Sequence, residues 1–198
     1  MAQERLKRPR LRLFVALELP ESVRGPLVEW RERELGKVPE ARLVAATSLH
    51  VTLVFLGYQY ERDVDRIADL CFGTAAGGFE LRATGVEGVP RSRPRLYALA
   101  LEDAGGALGA WQSELSDRLS AAGLYEPEKR PFWSHVTLVR GKRNRSLPRL
   151  EGRPLPDELT QPFVPERATL YRSTLTPQGA VYDGLAGMTL AREAPGKD

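Results

Sequence analysis

The pentapeptide His-Val-Thr-Leu-Val occurs twice, at His50–Val54 and His135–Val139, and these copies hold the only two histidines of the 198-residue chain. On ordinary residue frequencies an exact five-residue repeat in such a chain is an accident of roughly a few per cent, and capturing every histidine makes it rarer. Each copy is rich in β-branched and aliphatic residues and alternates in character, so each reads as a strand. The copies lie 85 residues apart, too far for a solenoid period, and suit two similar lobes meeting at a pseudo-two-fold axis. Strand alternation places His50, Thr52 and Val54 on one face and Val51, Leu53 and Phe55 on the other. The same rule sets His135, Thr137 and Val139 against Val136 and Leu138.

Two such faces across a cleft would offer two imidazoles and two hydroxyls to one ligand. Imidazole titrates near neutrality, so one ring can be neutral while the other is protonated. That division serves in-line displacement at phosphorus, where one group takes a proton from water and the other gives one to the leaving oxygen. The hydroxyls of Thr52 and Thr137 can hydrogen-bond the non-bridging oxygens, on which charge rises in the transition state. Two histidines, one remote cysteine and no carboxylate cluster make a poor metal site, and neither metal nor cofactor is expected.

The rest of the chain alternates strand and helix patterns. Leu11–Glu18 reads as a strand, and Pro20-Glu21-Ser22 opens a helix faced by Val23, Leu27 and Trp30 and stopped at Gly36, with Pro26 as a possible late start or kink. Leu49–Leu56 is the first motif strand, closed by Gly57. Glu61–Ala76 carries a helical stripe of Val64, Ile67, Ala68 and Cys71, which makes the lone Cys71 a buried small hydrophobe. Phe79–Val89 and Arg95–Leu101 are strands about a proline turn. A helix with Leu108, Trp111, Leu115 and Leu119 ends at Gly123. Trp133–Arg140 is the second motif strand, and Arg167–Tyr171 and Ala180–Leu190 are the last two. Gly141–Pro162 reads as a long exposed loop, whose Lys142, Arg143, Arg145, Arg149 and Arg153 either face an anion or form a solvated surface. Residues 1–10 and 192–198 are expected to be flexible tails of a single bilobal domain.

Composition narrows the class. Hydrophobic residues at 42% and charged residues at 28% are those of a globular chain able to bury a core. The net charge of +3 is compatible with an anionic ligand without specifying one. Leu11–Leu19 carries Arg12 and Glu18 and lacks a cleavage pattern, so no signal peptide is expected, and no stretch approaches a membrane span. A single cysteine fits a reducing compartment, and a cytoplasmic monomer is the expectation.

His50–Gly57 and Ser134–Arg140 resemble the paired H-x-T-x signatures of the 2H phosphoesterases, and in particular the RNA 2′,3′-cyclic phosphodiesterases, also called LigT-like 2′-5′ RNA ligases. Leu13–Leu17, Arg130-Pro131-Phe132 and Leu170–Ser173 are similar to further features of that family. The resemblance runs from about Arg12 to Leu190. It implies an α+β, bilobal fold with antiparallel sheets lining a V-shaped cleft and helices outside. It implies opening of an RNA 2′,3′-cyclic phosphate end to a 2′-phosphomonoester, with His50 as proton donor, His135 as proton acceptor, and Thr52 and Thr137 on the phosphate. Run in reverse, the reaction would join a 5′-hydroxyl RNA end. Arg130 becomes a candidate phosphate contact, and Phe132 and Tyr171 candidates for base stacking, each against a plain surface or core role. The alternatives are a phosphoesterase for a small cyclic nucleotide or ADP-ribose cyclic phosphate, and a non-catalytic module that binds RNA ends.

Overall fold

The two motif strands are neighbours in the computed structural model, which describes residues 9–74, 76–150, 153–177 and 179–190. Among these residues the elements are β1 (Arg10–Glu18), α1 (Glu21–Leu35), β2 (Ala41–Leu43), β3 (His50–Tyr60), α2 (Val64–Phe72), β4 (Leu81–Val89), β5 (Leu96–Asp103), α3 (Ala107–Ala121), β6 (His135–Gly141), α4 (Asp157–Thr160), β7 (Arg167–Thr176) and β8 (Gly179–Thr189). Of the expected tails, residues 1–8 and 192–198 lie outside the described residues, while Arg10 already belongs to β1.

β3 and β6 run antiparallel and are registered at Val51 opposite Val136, the same motif position in each copy. A local two-fold axis therefore passes between them. The sheet order is β4-β5-β6-β3-β1-β7-β8, with β2 paired to β6. The axis thus relates β3 to β6, β1 to β5 and β7 to β4. Helices of 15 residues, α1 and α3, follow the equivalent strands β1 and β5. The α+β architecture of two like halves is present, and the strands of the two halves run together at the axis. Leu17, Val51, Leu99 and Val136 from the centre of the sheet join Leu27 and Trp30 of α1 and Leu115 and Leu119 of α3 in one core.

Simple alternation fails at the same place in both copies. Ala16 faces Thr52 and Val15 faces Val54, which leaves Leu53 as an extra residue. Ala98 faces Thr137 and Tyr97 faces Val139, which leaves Leu138 as its counterpart. Each is a β-bulge, and after it the side chains swap faces. Leu53, Val54, Leu138 and Val139 are all buried, so Val54 and Val139 lie on the core side and not with the histidines as alternation predicts. Each buried aliphatic side chain contributes about 1.5–3 kcal/mol relative to exposure, enough to favour the bulged register over a regular one. The carbonyls that the bulges free from the ladder are satisfied elsewhere. Gln112 Nε2 of α3 donates to Leu53 O at 3.3 Å, and Val44 N donates to Leu138 O at 3.0 Å.

Three further expectations change. Gly57 does not close its strand: it takes φ +67° at a second register shift, and β3 runs on to Tyr60. The second helix is shorter than the expected Glu61–Ala76, because Glu61–Asp63 forms a 3₁₀ turn and α2 ends at Phe72, although the stripe lies within it and Ile67 and Cys71 are buried as expected. Residues 141–162 are not simply an exposed loop. Leu147 and Leu159 are buried, Asp157–Thr160 is helical, and Trp30 Nε1 donates to Pro154 O at 3.0 Å. Pro26 sits inside α1, which nonetheless starts at Glu21.

No atom lies within 4 Å of where a Cβ on Gly57 would stand. Gly57→Ala is therefore expected to lower stability by about 1–2 kcal/mol through backbone conformation alone, as measured by denaturant unfolding. A loss of less than about 0.5 kcal/mol would show that the left-handed turn is not required.

Candidate active site

The histidines reach one cleft of about 140 Å³, lined by His50, Thr52, His135, Thr137 and Arg140 among others. Each ring is held the same way. His50 Nδ1 donates to Ser48 O at 2.9 Å, and His135 Nδ1 donates to Trp133 O at 2.8 Å. A carbonyl oxygen only accepts, so each Nδ1 carries hydrogen and each Nε2 is left for the cleft. The hydroxyl of Thr52 lies 3.1 Å from His50 Nε2 and donates to the neutral ring. The 3₁₀ turn Ala46–Ser48 that presents the Ser48 carbonyl is tied to its surroundings through Val44. Val44 N donates to β6, and the buried Arg31 of α1 donates to Val44 O.

The aromatic settings differ. His50 packs against Phe14 (ring centroids 5.0 Å apart) and meets Tyr182 edge-on at 5.4 Å. Tyr182 is on β8, three strands from β3, a separation of about 14 Å in a flat sheet. The contact records how far the sheet curls toward its polar face. His135 lies flat on Trp133, 4.2 Å away and inclined by 15°. Burial pushes the His50 pKa down to about 4, with Arg140 and His135 lowering it further and the Ser48 carbonyl opposing. Burial also lowers His135, again against its carbonyl partner and together with Arg140. Both rings are thus neutral at pH 7 in the free protein, and an anion beside them would favour protonation.

His50, Thr52, His135 and Thr137 are brought together as the sequence indicates. Phe132 and Arg130 line a second pocket of about 420 Å³ that also borders Thr52, Phe55 and His135. Arg130 is at its exposed rim, 3.8 Å from Glu128. Tyr171 stands one ring back from the cleft, stacked behind Phe14 at 5.3 Å. Its hydroxyl donates to Glu18 Oε1 at 3.0 Å, and burial together with that carboxylate raises its pKa to about 12. Tyr182 holds the ring position at His50 instead.

Sequence reasoning missed Arg140, Phe55, Trp133 and Tyr182. Phe55 and Arg140 each stand five residues after a motif histidine, and the bulges turn both to the cleft side. Extending the repeat by those positions would have found them. Tyr182 has no local signal, because the curl of the sheet brings it there.

A curled antiparallel sheet carrying two dyad-related His-Thr pairs in one cleft defines a 2H phosphoesterase. The family described as LigT like Phosphoesterase matches residues 17–96. An RNA 2′,3′-cyclic phosphodiesterase of Thermus thermophilus is 32% identical, with 92% of each chain covered. One from Methanocaldococcus jannaschii is 26% identical over 87% of this chain and 97% of the relative. The crystal structure of Escherichia coli LigT complexed with 3′-AMP superposes with a TM-score of 0.76 at 26% identity, covering 93% of this chain and all of that one. The chain belongs to the LigT-like phosphoesterase family and is a hydrolase of phosphoesters.

Titration followed by histidine NMR is expected to place His50 near pH 4 and His135 below 6.5, both as Nδ1–H tautomers. Inorganic phosphate should raise both. The unfolded chain accepts the His50 proton first, so the stability given by the neutral ring is full above about pH 6.5 and is lost as pH falls toward about 4. A His50 resonance titrating at or above 6.5 would contradict this account of the cleft.

Proposed function

We propose that the protein opens 2′,3′-cyclic phosphate ends of RNA to 2′-phosphomonoesters, with the two imidazoles as its acid and base. One observation carries the reading: both Nε2-bearing faces, both threonines and Arg140 line a single cleft. Relatives named RNA 2′,3′-cyclic phosphodiesterase, matched over most of the chain, support the substrate class.

In this reading His135 Nε2 takes a proton from water as the water oxygen bonds to phosphorus. The P–O3′ bond breaks in line, and His50, protonated, gives its proton to the departing 3′ oxygen. Thr52, Thr137 and Arg140 hold the non-bridging oxygens, with Arg140 as a fixed cation of the cleft wall. The bound phosphate supplies the negative charge that His50 needs in order to hold a proton near neutrality. The pocket of about 420 Å³, with Tyr125, Phe132 and Trp133 in its wall, has the size and rings to seat the terminal base. Reversal of the same steps joins the cyclic end to a 5′-hydroxyl end through a 2′-5′ bond. No metal takes part in this scheme.

The test is incubation with a cyclic-phosphate-ended oligoribonucleotide in the presence of a chelator, resolving 2′- from 3′-phosphate products. The expected product is the 2′-phosphate, with kcat/KM bell-shaped in pH and its limbs belonging to the coupled pair. His50→Ala and His135→Ala should each lower turnover by about 10²–10⁴ with folding retained. Near-normal turnover in both variants, or a dominant 3′-phosphate product, would refute the assignment.

A further inference from the structure

The sequence presents five basic residues between 142 and 153 without dividing them by role. The structure divides them. Arg145 pairs with Glu40 at 3.3 Å and Arg153 with Glu34 at 3.0 Å, while Arg149 donates to Ser92 O at 3.4 Å. Lys142 and Arg143 instead line a groove of about 790 Å³ with Arg42, Arg95 and Arg140, and among the described residues no carboxylate belongs to its wall. Arg140 also belongs to the wall of the His–His cleft, so groove and cleft adjoin at that residue.

The turn that presents Lys142 and Arg143 is tightly built. Gly141 N donates to Arg95 O at 2.8 Å, Lys142 N to Glu40 O at 2.7 Å, and Arg145 N to Lys142 O at 2.9 Å. A Cβ on Gly141 would lie 2.0 Å from Arg145 O. Arg143 itself adopts φ 50° and ψ 36°, a left-handed conformation that costs a non-glycine residue energy. A strained residue set in a turn held by three backbone hydrogen bonds of its neighbours, and lining a groove of cations, points to a ligand there.

We propose that this groove is a track for the phosphodiester backbone of single-stranded RNA, carrying the nucleotides that precede the reacting end. The proposal rests on the RNA-end reading and extends it. A 2′,3′-cyclic phosphate terminates the chain, so all remaining phosphates must leave the cleft on one side. Arg140 opens onto a path of four more cations. Among the described residues the wall contains Val89, Pro90, Leu96 and Pro177 but no aromatic ring, so it meets the backbone and does not stack bases. Binding there is electrostatic, independent of sequence and sensitive to salt.

The experiment measures binding by fluorescence anisotropy, so that it does not depend on turnover. The probes are a single-stranded oligoribonucleotide of about ten nucleotides ending in a 2′-phosphate, and the matching 2′-phosphate mononucleotide as competitor, between about 50 and 200 mM salt. The variant is Lys142→Ser with Arg143→Asn, since Asn accepts the left-handed conformation. Wild type should bind the oligomer at least about tenfold tighter than the mononucleotide, and the variant should lose most of that difference. The slope of log affinity against log salt should shrink by about 1.4, at roughly 0.7 per phosphate, with mononucleotide affinity unchanged. Should that variant unfold, Lys142→Gln keeps Arg143 in place and should remove about half of the slope change. An unchanged oligomer affinity and slope, an equal loss on both probes, or a wild type that binds the oligomer no tighter than the mononucleotide would overturn the track. Hydrolysis of a cyclic-ended oligomer, assayed alongside, reports on the RNA-end reading separately.

Discussion

Val51 faces Val136 across the junction of β3 and β6, and that register fixes the geometry of the whole cleft. Because the paired residues occupy the same motif position, the flanking histidines and threonines are placed symmetrically on the polar side of the sheet. Side chains on a strand alternate, so a slip of one residue in either strand would drive an imidazole toward the core and a valine into the cleft. The core on the far face opposes that slip, since Val51, Leu53, Val54, Val136, Leu138 and Val139 are all buried beneath α1 and α3. Hydrophobic packing thus sets the position of the polar chemistry, although none of these residues lines the His–His cleft and only Leu53 reaches the neighbouring pocket.

Electrostatics then adjust what packing has placed. Phe14 and Tyr182 surround one ring, Trp133 lies under the other, and Arg140 stands near both. Burial of the rings and the charge of Arg140 disfavour the imidazolium, while the Ser48 and Trp133 carbonyls at Nδ1 resist the effect and fix the tautomer. The cleft by itself is therefore set against holding an extra proton. In the proposed reaction a phosphate diester would supply the missing negative charge, and the ionisation that acid–base chemistry needs would arrive with the ligand. In that scheme the same cation that depresses the histidines would attract the anion that restores them.

Much of the site could be read from the chain, for a physical reason. A duplicated motif that captures both histidines constrains position strongly, so the meeting of His50, Thr52, His135 and Thr137 in one cleft is legible from residues alone. Element order was also legible, since the apolar stripes of α1 and α3 and the strands between them carry their own periodicity. The failures came where long-range structure overrides local pattern. A bulge leaves no mark in composition, so Val54 and Phe55 were assigned to opposite faces from those they occupy. The curl that brings Tyr182 to His50 depends on the whole sheet. Residues 141–162 look like loop because their anchors, Leu147, Pro154 and Leu159, are widely spaced and irregular. Tyr171 has a suitable ring, but Phe14 stands between it and the cleft.

The local two-fold axis sets Phe55 and Arg140 at equivalent positions, one an aromatic ring and the other a permanent cation. A site with perfect symmetry would make its two imidazoles degenerate, and a ligand could enter in either of two orientations with equal energy. Phe55 and Arg140 lift that degeneracy at the positions where both strands turn toward the cleft. On one side Arg12 lies over the Phe55 ring at 4.5 Å, and on the other Arg140 opens onto further cations. A duplicated scaffold thereby acquires a polarity, so that an asymmetric ligand meets a distinguishable left and right.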